Sequence, residues 1–233
     1  MVGISKLIMI FTILEIYFSY ARMKEIIKEG ERYVNVVYDR DKLTEELYGI
    51  LDDLLFFAKE HYRVRLYKKI EWMILQLGIR EDFQGGLFKS FIWIVIFCDR
   101  DADGLTIYQH YLNKRRNCLE GINIKLRNVL FSWLELRPGF YRVTEAGNRS
   151  GSIFIFQDVI HQRISVVYCN HYPSLKNGDL ISGLLMPFGE DFYCTISSLI
   201  EVNTDTPILL DKDSKQADMK SLKEYIRIMK LAL

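Results

Sequence analysis

The feature that most constrains this chain is a change of periodicity at Arg137-Pro138-Gly139. Before it, apolar residues recur three and four positions apart, the spacing that gathers them on one face of a helix. After it, the apolar runs are short and separated by turn residues, the pattern of strands. Helices followed by strands, rather than alternating with them, predict an α+β fold. The expected order is a helical region over 1–136, a small antiparallel β-barrel over 137–205 and a C-terminal helix within 206–233. A chain of 233 residues buries enough surface to hold such a core without disulfides or metals.

The helical part has recognisable stops. Leu43, Leu47, Ile50, Leu54 and Phe57 form the seam of a helix over about 42–60, with Asp41 as its expected N-cap. A helix over about 64–77 ends before Gly78, a residue suited to the left-handed position that closes a helix. The run from Leu87 to Cys98 is almost wholly apolar, and its length favours a buried helix over a buried strand. Thr106 and Gln109 make a T-x-x-Q capping box that opens a helix to about Lys114. A further helix runs from about Ile124 to Glu135. Strands are expected at 140–143, 153–156, 164–168, 180–186 and 192–202, with a tight turn at Asn177-Gly178. Five short strands hide their edges best by closing into a barrel. Met219, Leu222, Ile226 and Met229 predict the last helix, over about 215–231.

The N-terminal segment reads differently. Leu7, Phe11, Leu14, Phe18 and Ala21 share one seam, and Ile8, Ile10, Ile13, Ile16 and Tyr17 cover much of the remainder. A helix that is apolar nearly all round needs a cover. Burial against protein, a membrane anchor and a cleaved signal peptide are the three open readings. Glu15 argues against the last two, since a charge at the centre of a spanning helix costs roughly 2.5–3.5 kcal/mol. The expectation is no integral membrane span, and a protein partner or homodimer docked through the apolar helix 7–20.

For chemistry the sequence is mostly negative. No G-x-S-x-G, H-E-x-x-H, Walker A or G-x-G-x-x-G pattern occurs, so no enzyme and no cofactor is expected. Cys98, Cys118, Cys169 and Cys194 form no C-x-x-C pair and read as free thiols of a cytoplasmic protein. Asp99-Arg-Asp-Ala-Asp-Gly104 matches the first half of a calcium loop. Its twelfth position is His110, which cannot supply the closing carboxylate, so a solvated turn is expected. Cys169, His171, His161 and Cys194 could converge as soft ligands, but nothing in their spacing requires it, and no metal is expected. Two basic clusters remain as possible nucleic-acid contacts. Arg63, Arg65, Lys68 and Lys69 are interleaved with Tyr62 and Tyr67, and Lys114-Arg115-Arg116 ends a helix. Charge for phosphates beside rings for stacking is what such a face needs. Basic residues also simply favour helix C-termini. With 31 basic against 30 acidic residues, no global field points to nucleic acid.

An ordered set of segments resembles a family. It runs from Phe91-Ile-Trp93 and Asp99–Gly104 through Leu105-Thr106, Tyr111-Leu112 and Phe140-Tyr-Arg-Val143 to Gln157-Asp-Val159 and Leu175–Pro187. It is similar to uncharacterised bacterial proteins that carry a SEC-C zinc motif beside a helical region and a small β domain. The resemblance spans about 85–202, and Gly178–Pro187 is its most specific part. There are three departures. The zinc-binding C-x-C…C-[HC] tail is absent, with no Cys or His after Val202. His161-Gln162 replaces the T-G of a D-x-x-T-G turn, and Leu184 stands where a basic residue is common. The resemblance thus implies a fold and neither a metal nor an activity. The functional expectation is a non-enzymatic protein-interaction or scaffold module. The alternative is a nucleic-acid or ribosome-associated binder using the basic clusters and the barrel.

Overall fold

The computed structural model describes residues 37–79, 84–119, 121–146, 153–169, 175–189, 192–197, 199–202 and 222–233. The chain divides into two compact units, 1–51 and 52–233, the boundary falling within helix α1 (Val37–His61). The apolar segment 7–20 lies outside the described residues, so its expected docking is not addressed by them. None of the described helices is long and apolar enough to cross a membrane. Asp41 is not the N-cap of α1, because the helix already runs from Val37 and Asp41 falls inside it.

In the second unit, α2 (Arg63–Leu77) buries Leu66, Ile70, Met73 and Leu77, one stripe at spacings of three and four. It closes at Gly78, whose φ of 64° puts it in the left-handed region. The ambiguous apolar run is a helix, α3 (Gln84–Cys98), and from Phe91 to Phe97 only Trp93 is not buried. An apolar helix with no polar face has to be enclosed by others. The capping box opens α4 (Ile107–Lys114): Gln109 N donates to Thr106 Oγ1 at 3.1 Å, and Thr106 N donates to Gln109 Oε1 at 2.8 Å. A short α5 (Arg116–Leu119) follows. Asn123 caps α6 (Ile124–Ser132), which tightens into a 3-10 turn at Trp133–Glu135.

The strands are β1 (Pro138–Ala146), β2 (Ile153–Asp158), β3 (Ile164–Tyr168), β4 (Leu180–Pro187), β5 (Phe192–Thr195) and β6 (Ile200–Glu201). The first three form an antiparallel meander. β1 also pairs with β4, β4 with β5, and β5 with β3, which closes a five-strand ring. The barrel is mixed where an antiparallel one was expected, because β3 and β5 run parallel. Parity requires this: directions cannot alternate all the way round a ring with an odd number of strands. The single strand expected over 192–202 is interrupted between β5 and β6, and β6 continues along β4. At the interruption Leu199 folds over Gly183. A Cβ on Gly183 would stand 2.8 Å from Leu199 Cδ2.

The barrel interior holds Tyr141, Val143, Phe154, Phe156, Val167 and Ile181 among others. The Tyr141 ring lies over Gly139, where any Cβ would overlap it. The outer side of β1 and β4 is covered by helices. Helix α7 (Leu222–Ala232) sets Tyr225 against Phe140, with ring centroids 5.9 Å apart. Ser182 Oγ donates to Gly139 O at 2.9 Å, leaving the Tyr225 hydroxyl to donate to Ser182 Oγ at 3.0 Å. Trp133 Nε1 donates to Pro187 O at 2.9 Å. The Gly178–Pro187 segment is therefore spent on architecture. Gly178 makes the turn at φ 96°, while Asn177 keeps a negative φ. Ser182, Gly183 and Pro187 then seat the neighbouring elements.

Candidate functional site

The two halves of the charged reading meet at one corner. The turn after α3 carries Asp99 and Asp101, and α2 presents Arg65 and Lys69 to it. Arg65 Nε and an Arg65 Nη each donate to Asp99 Oδ2 at 3.0 Å, and the same Nη donates to Asp99 O at 2.8 Å. Lys69 Nζ lies 2.9 Å from Asp99 Oδ1, and the other Arg65 Nη lies 3.5 Å from Asp101 Oδ2. The Asp99 side chain is only 8% exposed, so these cations replace water around it. Asp101 folds the turn: its Oδ1 accepts from the N–H groups of Asp103 and Leu105. Its Oδ2 faces His110 Nε2 at 2.5 Å, and His110 stacks on Tyr62. The hydrogen bond from His110 and then those from Leu105 and Asp103 hold the Asp101 carboxyl down to about 2. In the turn resembling a calcium loop, Asp99 and Asp101 are thus paired with the protein's own Arg65, Lys69 and His110, while Ala102, Asp103 and Gly104 are exposed to solvent as expected.

The second basic cluster is similarly occupied in part. Arg115 donates to Asp53 Oδ1 at 2.8 Å, beside the Tyr111 hydroxyl on Oδ2 at 2.9 Å. Lys114 Nζ donates to His61 Nε2 at 2.6 Å and sits over the Phe57 ring. Arg63, Lys68 and Arg116 are exposed, with the Arg63 guanidinium 6.0 Å from the Tyr67 ring centre. The candidate basic residues therefore divide. Arg65, Lys69, Lys114 and Arg115 are held by Asp99, His61 and Asp53, and Arg63, Lys68 and Arg116 lie at exposed positions.

Among the described residues no group of three or more His, Cys, Asp or Glu is placed to hold a metal ion. His171 lies outside them. His161 Nδ1 bonds to Asp158 Oδ2 at 3.1 Å, which closes the β2–β3 turn. Cys98, Cys169 and Cys194 are not joined in disulfides. Cys194 is registered with Tyr168, one position before Cys169, so the two cysteines face opposite sides of the sheet. Burial pushes the Cys98 and Cys169 thiols up to about 12, which favours the protonated form.

The feature that sequence reasoning missed lies on the barrel. Along β2 and β3 the inward residues Phe154, Phe156 and Val167 are fully or almost fully buried. The outward residues are apolar too: Ile153, Ile155, Ile164, Val166 and Tyr168. Ile164 is 71% exposed and Val166 40%. Cross-strand register joins them into one patch. Ile153 opposes Tyr168, Ile155 opposes Val166, and Val166 opposes Phe192 of β5. The Tyr168 and Phe192 rings lie 6.3 Å apart. On the β1 side the patch ends at Arg142, registered with Gln157, and at Glu145, registered with Ile155. At the β2–β3 turn it ends at Gln157, which is registered with Ile164. The signal was present: Ile153-Phe-Ile-Phe156 and Val166-Val167 are apolar in both strand parities, whereas a half-buried strand alternates.

No family model, curated protein or solved structure matches the chain.

Proposed function

We propose that this protein is a non-enzymatic protein-interaction or scaffold module of the cytoplasm, and that it docks a protein partner through the outer face of β2, β3 and β5. One observation carries the reading: the outward residues of β2 and β3 register into one apolar patch, with Ile153, Ile164 and Val166 exposed. Such patches mark interaction sites, because leaving them in water is unfavourable. The absence of nucleophile, acid–base and phosphate-loop patterns from the sequence supports binding over catalysis. The similarity to bacterial SEC-C-associated proteins stays a proposal beside it.

Nucleic-acid or ribosome binding is the second reading, and it rests on exposed Arg63, Lys68 and Arg116 with Tyr67 nearby. It has less support, since Arg65, Lys69, Lys114 and Arg115 are engaged by Asp99, His61 and Asp53. One experiment separates the two. The full chain and its Ile164→Lys and Lys68→Glu/Arg116→Glu variants serve as baits in host extract, with bound proteins and nucleic acids both identified. A named protein lost only with Ile164→Lys supports the module. Nucleic acid lost only with the charge-reversed variant would overturn it.

A further inference from the structure

We infer that the partner for this face is a second copy of the chain, packed on it sheet to sheet about a twofold axis. The inference rests on the interaction reading above and names its partner. The closed ring first restricts how anything can bind. β2 is hydrogen-bonded to β1 and β3, and β3 to β2 and β5, so neither strand has a free edge to which a peptide could add a strand. Only face-to-face packing remains. Two sheet faces pack well when each offers interdigitating aliphatic and aromatic side chains, as Ile153, Ile155, Ile164, Val166, Tyr168 and Phe192 do. A twofold interface uses the same patch twice, so the patch must be complementary to itself.

The charges meet that requirement. The patch carries none, and its β1 border carries both signs, with Arg142 registered with Gln157 and Glu145 with Ile155. Arg142 gives one donor to Gly178 O at 3.3 Å. A border of balanced charge suits an identical border turned through the twofold, and suits a strongly acidic or basic partner poorly. The whole chain has a formal net charge of +1, so two copies approach without appreciable repulsion.

Sedimentation velocity on the full chain, over a wide concentration range, tests this. The wild type should show a reversible dimer. Ile164→Lys should weaken it by at least about tenfold, because an unpaired charge would be buried in the contact. Ile164→Gln is the milder variant should the lysine variant aggregate, and Val64→Lys, on an exposed position of α2, should change nothing. Arg142→Glu should weaken the dimer, and adding Glu145→Arg should restore it. A strict monomer, or a dimer indifferent to both Ile164 variants, would overturn the proposal. A strict monomer that still binds a different protein through Ile164 would overturn the second copy and leave the interaction reading standing.

Discussion

The charged corner and the outer face of the barrel are opposites. The corner gathers the residues that look most like chemistry: an acidic turn, a basic cluster and a histidine. Its Asp99, Asp101, Arg65, Lys69 and His110 answer one another. The barrel face comes from strands that carry no motif, yet it leaves aliphatic side chains in water. Polar groups with specific partners are consumed by folding, because an unpaired buried charge is too costly to keep. Apolar groups have no such obligation, so surplus ones persist wherever the protein's own layers run out. The place to look for binding is the region with fewer motifs.

Substitutions can break this contrast on either side. Asp99→Ala should have the largest effect, a loss of about 3 kcal/mol by chemical denaturation, since it strands Arg65 and Lys69 without their shared carboxylate. A loss below 1 kcal/mol would mean that the corner is a solvated ion pair after all. Gly139→Ala comes next, at about 2 kcal/mol, because the added methyl displaces the buried Tyr141 ring. Its near-ultraviolet dichroism should change as well, and an unaltered spectrum would contradict the crowding.

The corner also has a pH signature. The Asp101 carboxyl is held below its ordinary value of 3.8, at about 2, so its contribution is complete above about pH 4 and is lost as pH falls towards 2. Asp101→Asn should narrow its melting-temperature gap to the wild type over that window, and a constant gap would remove Asp101 from the account. Gln162→Gly should be slightly stabilising, by about 0.5 kcal/mol, because Gln162 has a φ of 57°. The glutamine partly offsets that strain by donating to Val159 O and accepting from Gln157. Smallest of all, Ile164→Lys should leave stability within about 0.5 kcal/mol of the wild type when both are measured dilute enough to be monomeric, as exposed positions do. A large loss there would mean that the face is covered within the monomer.

Much of the scaffold was legible because local rules were obeyed. Thr106 and Gln109 form the box their spacing announces, Gly78 closes its helix, and the β1–β3 meander follows the turn signals. Asp41 was misplaced because a preference for the cap does not bar Asp from the interior, and the helix begins four residues earlier, at Val37. That some neighbouring pair must be parallel followed from the parity of five strands in a ring; that the pair is β3–β5 did not. The pairing of Arg65 and Lys69 with Asp99 was not legible. Thirty or more positions separate them, and only the packing of α2 against α3 brings them together. The sheet face was half-legible, since apolar residues of both parities showed in β2 and β3. Which parity would be left uncovered depended on where the helices settle.

Hydroxyl-radical footprinting of the protein, dilute in buffer and then in concentrated host extract, tests most directly which region binds. Side-chain oxidation can be followed residue by residue on both surfaces at once. The account predicts that Ile153, Ile164 and Val166 are oxidised in dilute solution and protected in extract, while Tyr67 on α2 is unchanged. Protection of Tyr67, with Ile164 and Val166 still reactive, would contradict it and return the basic helix surface to first place.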